Sequence, residues 1–164
     1  GAVAKGYISD EMKKVLEEEG VTSALMSLGG NVMTLGTKPD GSSWTVAITD
    51  PFSPESLMGS VTVTGQAVVT SGNYEKYFEE NGNHHILDPC TGAPSESDVV
   101  STTIIADKGI DCDALSTATF LMGADAGMQL IDSLDGIEAV FIQSDGSVVT
   151  SKHIDKYQLQ VNNS

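Results

Sequence analysis

The chain contains no arginine, and only eight lysines stand against 23 acidic residues, giving a net charge of −15 over 164 residues. Nucleic-acid binding relies on clustered Lys and Arg that displace counterions from phosphates, so this charge balance argues against that partner class. An anionic membrane surface is disfavoured for the same reason. Aromatic residues make up 5% of the chain, so the core must be mostly aliphatic. Cys90 and Cys112 are too few for a disulfide framework, and neither lies in a CxxC pair, which leaves a zinc knuckle or thioredoxin-like motif unsupported. Two free thiols are expected, although one bridge between them stays geometrically open. No apolar run approaches the length of a bilayer-spanning helix, and no charged-then-apolar signal segment opens the sequence. What is present is 40% hydrophobic residues in a length suited to one compact domain.

Helical periodicity covers residues 7–19, where Ile8, Met12, Val15 and Leu16 recur on one face and Gly20 supplies a stop. Residues 21–28 and 32–35 read as strands around the Gly29-Gly30-Asn31 turn. A Pro-Asp-Gly turn at 38–42 follows and predicts local pairing with the strand at 44–49. Residues 53–59 read as a loop and 61–70 as a β-branched strand, with Gly65 as a bulge or close-approach point. A short strand at 84–87, a strong strand at 99–106, helices at 111–122 and 124–134 split by Gly123, and a hairpin at 139–151 complete the pattern. Hairpin turns join most strands, which predicts an α+β fold, mainly antiparallel sheet with packed helices. Residues 1–152 form the predicted domain portion, and 153–164 a polar tail that frays.

Three constellations could carry chemistry. Gly1 to Gly6 is small, glycine-bounded and carries Lys5 directly before a helix, a setting that favours an anion such as a pyrophosphate. The spacing is neither the Walker nor the dinucleotide fingerprint, and a glycine turn before a helix is common. Asp113 and Thr117 stand four apart on a predicted helix, so a carboxylate and a hydroxyl face the same way, a hard-oxygen pairing suited to Mg²⁺ or Ca²⁺. The alternative is that Asp111 or Asp113 only caps the helix, with Asp111 the more natural cap. His84 and His85 precede an Asp-Pro turn. Neighbouring strand residues face opposite ways, so one of them at most faces a given site, as acid, base or ligand donor. A solvent-exposed pair is the competing reading. Ser71-Gly72-Asn73-Tyr74 and Leu28-Gly29-Gly30-Asn31 are turn chemistry first, although either could line a pocket.

Six collinear motifs together resemble the ApbE family of FAD:protein FMN transferases: GAVAKGY at the start, SLGGN at 27–31, AITDP at 47–51, TSGNY at 70–74, HHILDPCTGAP at 84–94 and DALSTATFLMG at 113–123. The resemblance implies an ApbE-like fold and a magnesium-dependent enzyme. Such an enzyme splits FAD at its pyrophosphate, transfers FMN to a threonine of a target protein and releases AMP. Targets in the family are subunits of membrane redox complexes and related FMN-binding domains.

Carried over by position, the backbone-carbonyl metal ligand falls on Ala2 and the side-chain ligands on Asp113 and Thr117, with Ser116 beside them. Lys5 matches a position that contacts FAD, His85 the active-site histidine, and Ile86 a residue beside the flavin nucleotide. His85 is preferred to Asp113 as general base, because a metal-bound carboxylate is a weaker base. An FAD pyrophosphatase and a non-catalytic flavin-binding fragment are the alternative activities. The family is about twice this length and its first motif is usually preceded by Asp-Leu, so the chain is expected to be a C-terminal part that lacks the N-terminal half. Alone it is expected to bind FAD weakly and to expose apolar surface that favours a homodimer. An extracytoplasmic, lipid-anchored parent protein is the implied location.

Overall fold

The structure, a computed structural model, describes residues 3–74 and 86–162, together with the backbone of 77–78 and 83–84. Three layers stack in it. The first is helical: α1 (Ala4–Glu18), α2 (Gly109–Met122) and α3 (Ala124–Asp132). The middle layer is a six-stranded antiparallel sheet in the order β1 (Ala24–Leu28), β2 (Asn31–Leu35), β5 (Ala67–Gly72), β8 (Val99–Ala106), β9 (Glu138–Gln143) and β10 (Val148–Thr150). The third is a small sheet of β11 (Gln160–Val161), β4 (Ser53–Val63) and β3 (Trp44–Asp50). Backbone of β6 (Tyr77–Phe78) pairs with β7 (Asn83–His84). The expected α+β architecture, with antiparallel pairing throughout the described sheets, is observed.

Strand alternation explains the layering, because successive side chains leave a strand on opposite faces. Ala67 and Val69 of β5 and Ile104 and Ala106 of β8 face the helices, where they meet Cys112, Phe120, Met128 and Ile131. Val68, Ile105, Val140 and Ile142 face the small sheet and meet Val46, Ile48, Val61 and Val63. The middle sheet therefore carries apolar residues on both faces, which accounts for the unbroken hydrophobic run Ala139–Ile142 and for Ile104, Ile105 and Ala106 in succession.

Four expectations need correction. The strands flanking the 38–42 turn do not pair: β2 stays in the six-stranded sheet, while β3 pairs with β4 in the other layer. The turn thus carries the chain from one layer to the next, and a local turn signal cannot distinguish these outcomes. The segment 53–59 is strand and not loop, because β3 offers a partner over its length through an irregular register around Thr49 and Asp50. The described part of the tail, 153–162, is packed and not frayed. Ile154 and Tyr157 bury in the core between the sheets, and β11 pairs with β4. Finally, of the apolar stripe of α1 only Leu16 packs against the core, and the most buried side of the helix is a different one. Gly6 and Ser9 are buried, whereas Tyr7, Ile8, Met12 and Val15 are exposed.

Cys90 is exposed and Cys112 buried, and both are free thiols. Burial pushes the Cys112 thiol far above its ordinary range, which makes it inert packing.

Candidate active site

The site is built where the starts of α1 and α2 meet. The first N–H groups of a helix have no partner inside it. In α1 the first intrahelical donor reaching back to the cap is Tyr7, bonded to the Val3 carbonyl at 3.0 Å, which leaves the Gly6 N–H over. That N–H donates to Asp113 Oδ2 at 2.8 Å, a contact between residues 107 apart in sequence. Asp113 is 6% exposed, and among the described residues its other oxygen receives no hydrogen bond and no cation pairs with it.

Neither Asp111 nor Asp113 caps α2. The helix starts at Gly109, and its cap residue Lys108 makes no side-chain bond to it. Asp10 of α1 supplies the cap instead: its Oδ1 accepts from the Gly109 N–H at 2.6 Å and its Oδ2 from the Ile110 N–H at 3.0 Å. The helices approach closely because both crossing residues are glycine. A Cβ on Gly6 would overlap the Gly109 carbonyl and lie 2.8 Å from the Asp113 Cβ.

One turn beyond Asp113, the half-buried Thr117 lies 3.4 Å from the Ser71 hydroxyl, which also shares a 2.8 Å hydrogen bond with Ser116. Thr102 donates to the Ser116 carbonyl at 2.6 Å and so ties α2 to the sheet. Thus the TSGNY segment and α2 meet through hydroxyls. Two residues beyond Ser71, Asn73 and Tyr74 line a cleft with Pro51, Phe52 and Val100, so the ends of the AITDP and TSGNY motifs share one hollow.

Lys5 is exposed and its Nζ donates to the Gly29 carbonyl at 3.1 Å, which puts the lysine beside the Gly-Gly turn at the start of α1. Ile86 is buried in the helix-side core and its carbonyl accepts from the Ser95 N–H at 3.0 Å. Ala2 and His85 lie outside the described residues. The structure thus brings Asp113, Thr117 and the start of α1 together, with Lys5 on the neighbouring turn.

Among the described residues no three His, Cys, Asp or Glu side chains cluster. A transition-metal centre of soft or imidazole donors therefore finds no support there. A hard cation that takes one carboxylate, hydroxyl or carbonyl oxygens and substrate phosphates does suit a buried aspartate with an uncommitted oxygen. Asp113 and Thr117 would be its side-chain ligands.

Sequence reasoning did not find Asp10, and it read Gly6 as one end of an anion-binding segment and Ser71 as part of a turn, neither as a partner of α2. Asp10 follows Gly6 by four residues, so both lie on one face of α1, but nothing local shows what that face meets.

The antiparallel α+β fold matches solved ApbE proteins. The ApbE protein of Thermotoga maritima is similar at a TM-score of 0.85 and 31% identity, covering 96% of this chain and 52% of that one. The flavinyl transferase ApbE of Pseudomonas stutzeri superposes at a TM-score of 0.78 with 34% identity, over 95% of this chain and 50% of that one. In sequence, an FAD:protein FMN transferase of Klebsiella pneumoniae is 40% identical over 154 residues, 92% of this chain and 47% of its own length. One from Treponema pallidum is 39% identical over 165 residues, 94% of this chain and 46% of its own. The ApbE family profile matches residues 1–141, and the chain belongs to the ApbE family. It spans about half the length of the curated relatives it matches, their C-terminal part.

Proposed function

We propose that the chain is part of an FAD:protein FMN transferase, and that it carries the metal-binding portion of the active site. The observation that carries this reading is the buried Asp113, with one oxygen held by the Gly6 N–H, the other uncommitted, and Thr117 one turn away. In the proposed reaction a threonine hydroxyl of the acceptor attacks the FMN phosphorus of FAD. The new P–O bond forms as the pyrophosphate P–O bond breaks, AMP leaves, and the hydroxyl proton passes to His85. Mg²⁺, when bound, supplies charge neutralisation on the pyrophosphate oxygens.

Asp113 and Thr117 would hold that ion, with the Ala2 carbonyl completing the protein's share of ligands. Lys5, in a chain without arginine, adds the positive charge beside the start of α1 for a phosphate oxygen. Ile86 would border the flavin nucleotide. The acceptor would be an FMN-carrying subunit of a membrane redox complex or a related FMN-binding domain. A polypeptide corresponding to the N-terminal half of the relatives would complete the nucleotide pocket. The same resemblance supports a location outside the cytoplasmic membrane with a lipid anchor on the whole protein.

The test is mass spectrometry of a candidate FMN-binding acceptor after incubation with the full-length enzyme, FAD and Mg²⁺. One FMN residue added on a threonine is the expected result. Release of free FMN and AMP with the acceptor unmodified would instead make the protein a pyrophosphatase.

A further inference from the structure

The starts of α1 and α2 satisfy one another. The leftover N–H of α1, on Gly6, is taken by a carboxylate of α2, Asp113. The leftover N–H groups of α2, on Gly109 and Ile110, are taken by a carboxylate of α1, Asp10. Capping carboxylates ordinarily come from the same helix, within a few residues of the groups they satisfy. Here neither α1 nor α2 makes a side-chain cap bond of its own, and each depends on the other. Ser9, buried between them, donates to the Gly6 carbonyl at 2.7 Å, and a Cβ on Gly109 would overlap its hydroxyl. With two glycines and a serine at the crossing, the helix backbones meet directly, and the carboxylate bonds tie the two helix starts in register along that contact.

We propose that Asp10 is a positioning residue for Asp113. By clamping the first two N–H groups of α2, it fixes the height of α2 against α1. The Gly6 N–H then meets only one oxygen of Asp113 and leaves the other turned to a divalent cation. This rests on the metal-binding reading of Asp113 given above. Asp10 itself has both oxygens committed to backbone donors, so it serves the ion only through α2.

The experiment uses the whole 164-residue chain and two readouts. Gly6 sits in the first turn of α1, where no intrahelical bond protects its N–H, so its native-state hydrogen exchange by NMR reports the bond to Asp113 alone. Mn²⁺ titration followed by electron paramagnetic resonance reports the cation site without any turnover. In Asp10→Ala, Gly6 exchange is expected to accelerate about tenfold or more, and Mn²⁺ affinity to fall at least about fivefold. Asp10→Asn, which keeps one acceptor oxygen, should fall between this variant and wild type. Glu138→Gln, on β9 with its hydrogen bonds to Ser151, His153 and Lys156, controls for a general loss of stability and should change neither readout. If Asp10→Ala is too unstable to study, the Asn variant carries the test.

Unchanged Gly6 exchange in the Asp10 variants would overturn the proposal. So would faster Gly6 exchange with Mn²⁺ affinity at the wild-type value, which would make Asp10 a cap with no bearing on the site. Failure of the wild-type chain to bind Mn²⁺ would overturn the metal reading and with it this role of Asp10, whereas Gly6 exchange would still report whether Asp10 orients Asp113.

Discussion

Two buried carboxylates, Asp113 on α2 and Glu138 at the start of β9, are held in different ways. Each is less than a tenth exposed. Glu138 is saturated: Ser151 Oγ and the His153 N–H donate to Oε2, the latter at 3.2 Å, and Lys156 Nζ pairs with Oε1 at 3.0 Å. Burial pushes its pKa up, but the bonds from Ser151 and Lys156, the Lys156 charge and the His153 N–H outweigh that and hold it below the ordinary glutamate value of 4.5. Asp113 receives a single backbone N–H and no cation among the described residues. A buried carboxylate with its partners complete is a structural clasp. One with an oxygen left over, not sealed from solvent, keeps an acceptor available for something else to bind. The difference separates the residue that closes the fold from the one proposed to serve a ligand.

The contrast can be broken most forcefully at the clasp. Replacing Glu138 with Ala leaves the Ser151 hydroxyl and the His153 N–H without their acceptor and releases the 3₁₀ turn Ile154–Tyr157, so urea unfolding should show a loss of about 3 kcal/mol. A loss below about 1 kcal/mol would mean that the tail is held by Ile154 and Tyr157 alone. Next in size is Gly6→Ala. Alanine favours helix by roughly 1 kcal/mol, but its methyl would meet the rigid backbone of Gly109, so a net loss of about 2 kcal/mol is expected. A stabilised variant would show that the helices can part without cost.

The pH dependence follows from the same group. Between the unfolded pKa near 4.5 and the lower folded value, the unfolded chain holds a proton at Glu138 that the native chain does not. Stability from this group is therefore complete above pH 4.5 and is lost as pH falls through the folded value. Glu138→Gln should flatten the acid limb of a thermal-melt series recorded from pH 6 downward, and an unchanged slope would contradict the assignment.

The smallest expected effect on folding is at Asp113. Asp113→Asn keeps an acceptor for the Gly6 N–H, so stability should stay within about 1 kcal/mol of wild type while Mn²⁺ binding is lost. If this variant instead destabilised the chain as much as Glu138→Ala does, Asp113 would be a second clasp and the distinction would collapse.

Much of the helix and strand pattern was legible from periodicity and turn residues. The split of α2 from α3 at Gly123, with φ of 81°, and the hairpin of β9 and β10 are local signals that tertiary packing left intact. The strand at 53–59 and the packed tail were not legible, because exposed polar sequence forms a strand only where a neighbour supplies hydrogen-bond partners, here β3 for β4 and β4 for β11. The apolar stripe of α1, of which Leu16 packs while Ile8, Met12 and Val15 stay exposed, misleads in part for a related reason. The face that packs is chosen by how closely Gly6 and Ser9 allow α2 to approach, and hydrophobicity does not report that.

By itself the sequence determined which chemistry is on offer: no arginine, hard oxygen donors four apart at Asp113 and Thr117, a lone lysine in the glycine-bounded opening segment, and a motif order that identifies the family. Only the tertiary structure decided how those donors are used. Spacing can say that Asp113 and Thr117 share a helix face. It cannot say that Asp10, about a hundred residues away, caps that helix, or that the Gly6 N–H takes one oxygen of Asp113 and leaves the other. Hydrogen bonds between distant segments leave no period in a sequence, since they depend on where packing brings two helix starts to rest.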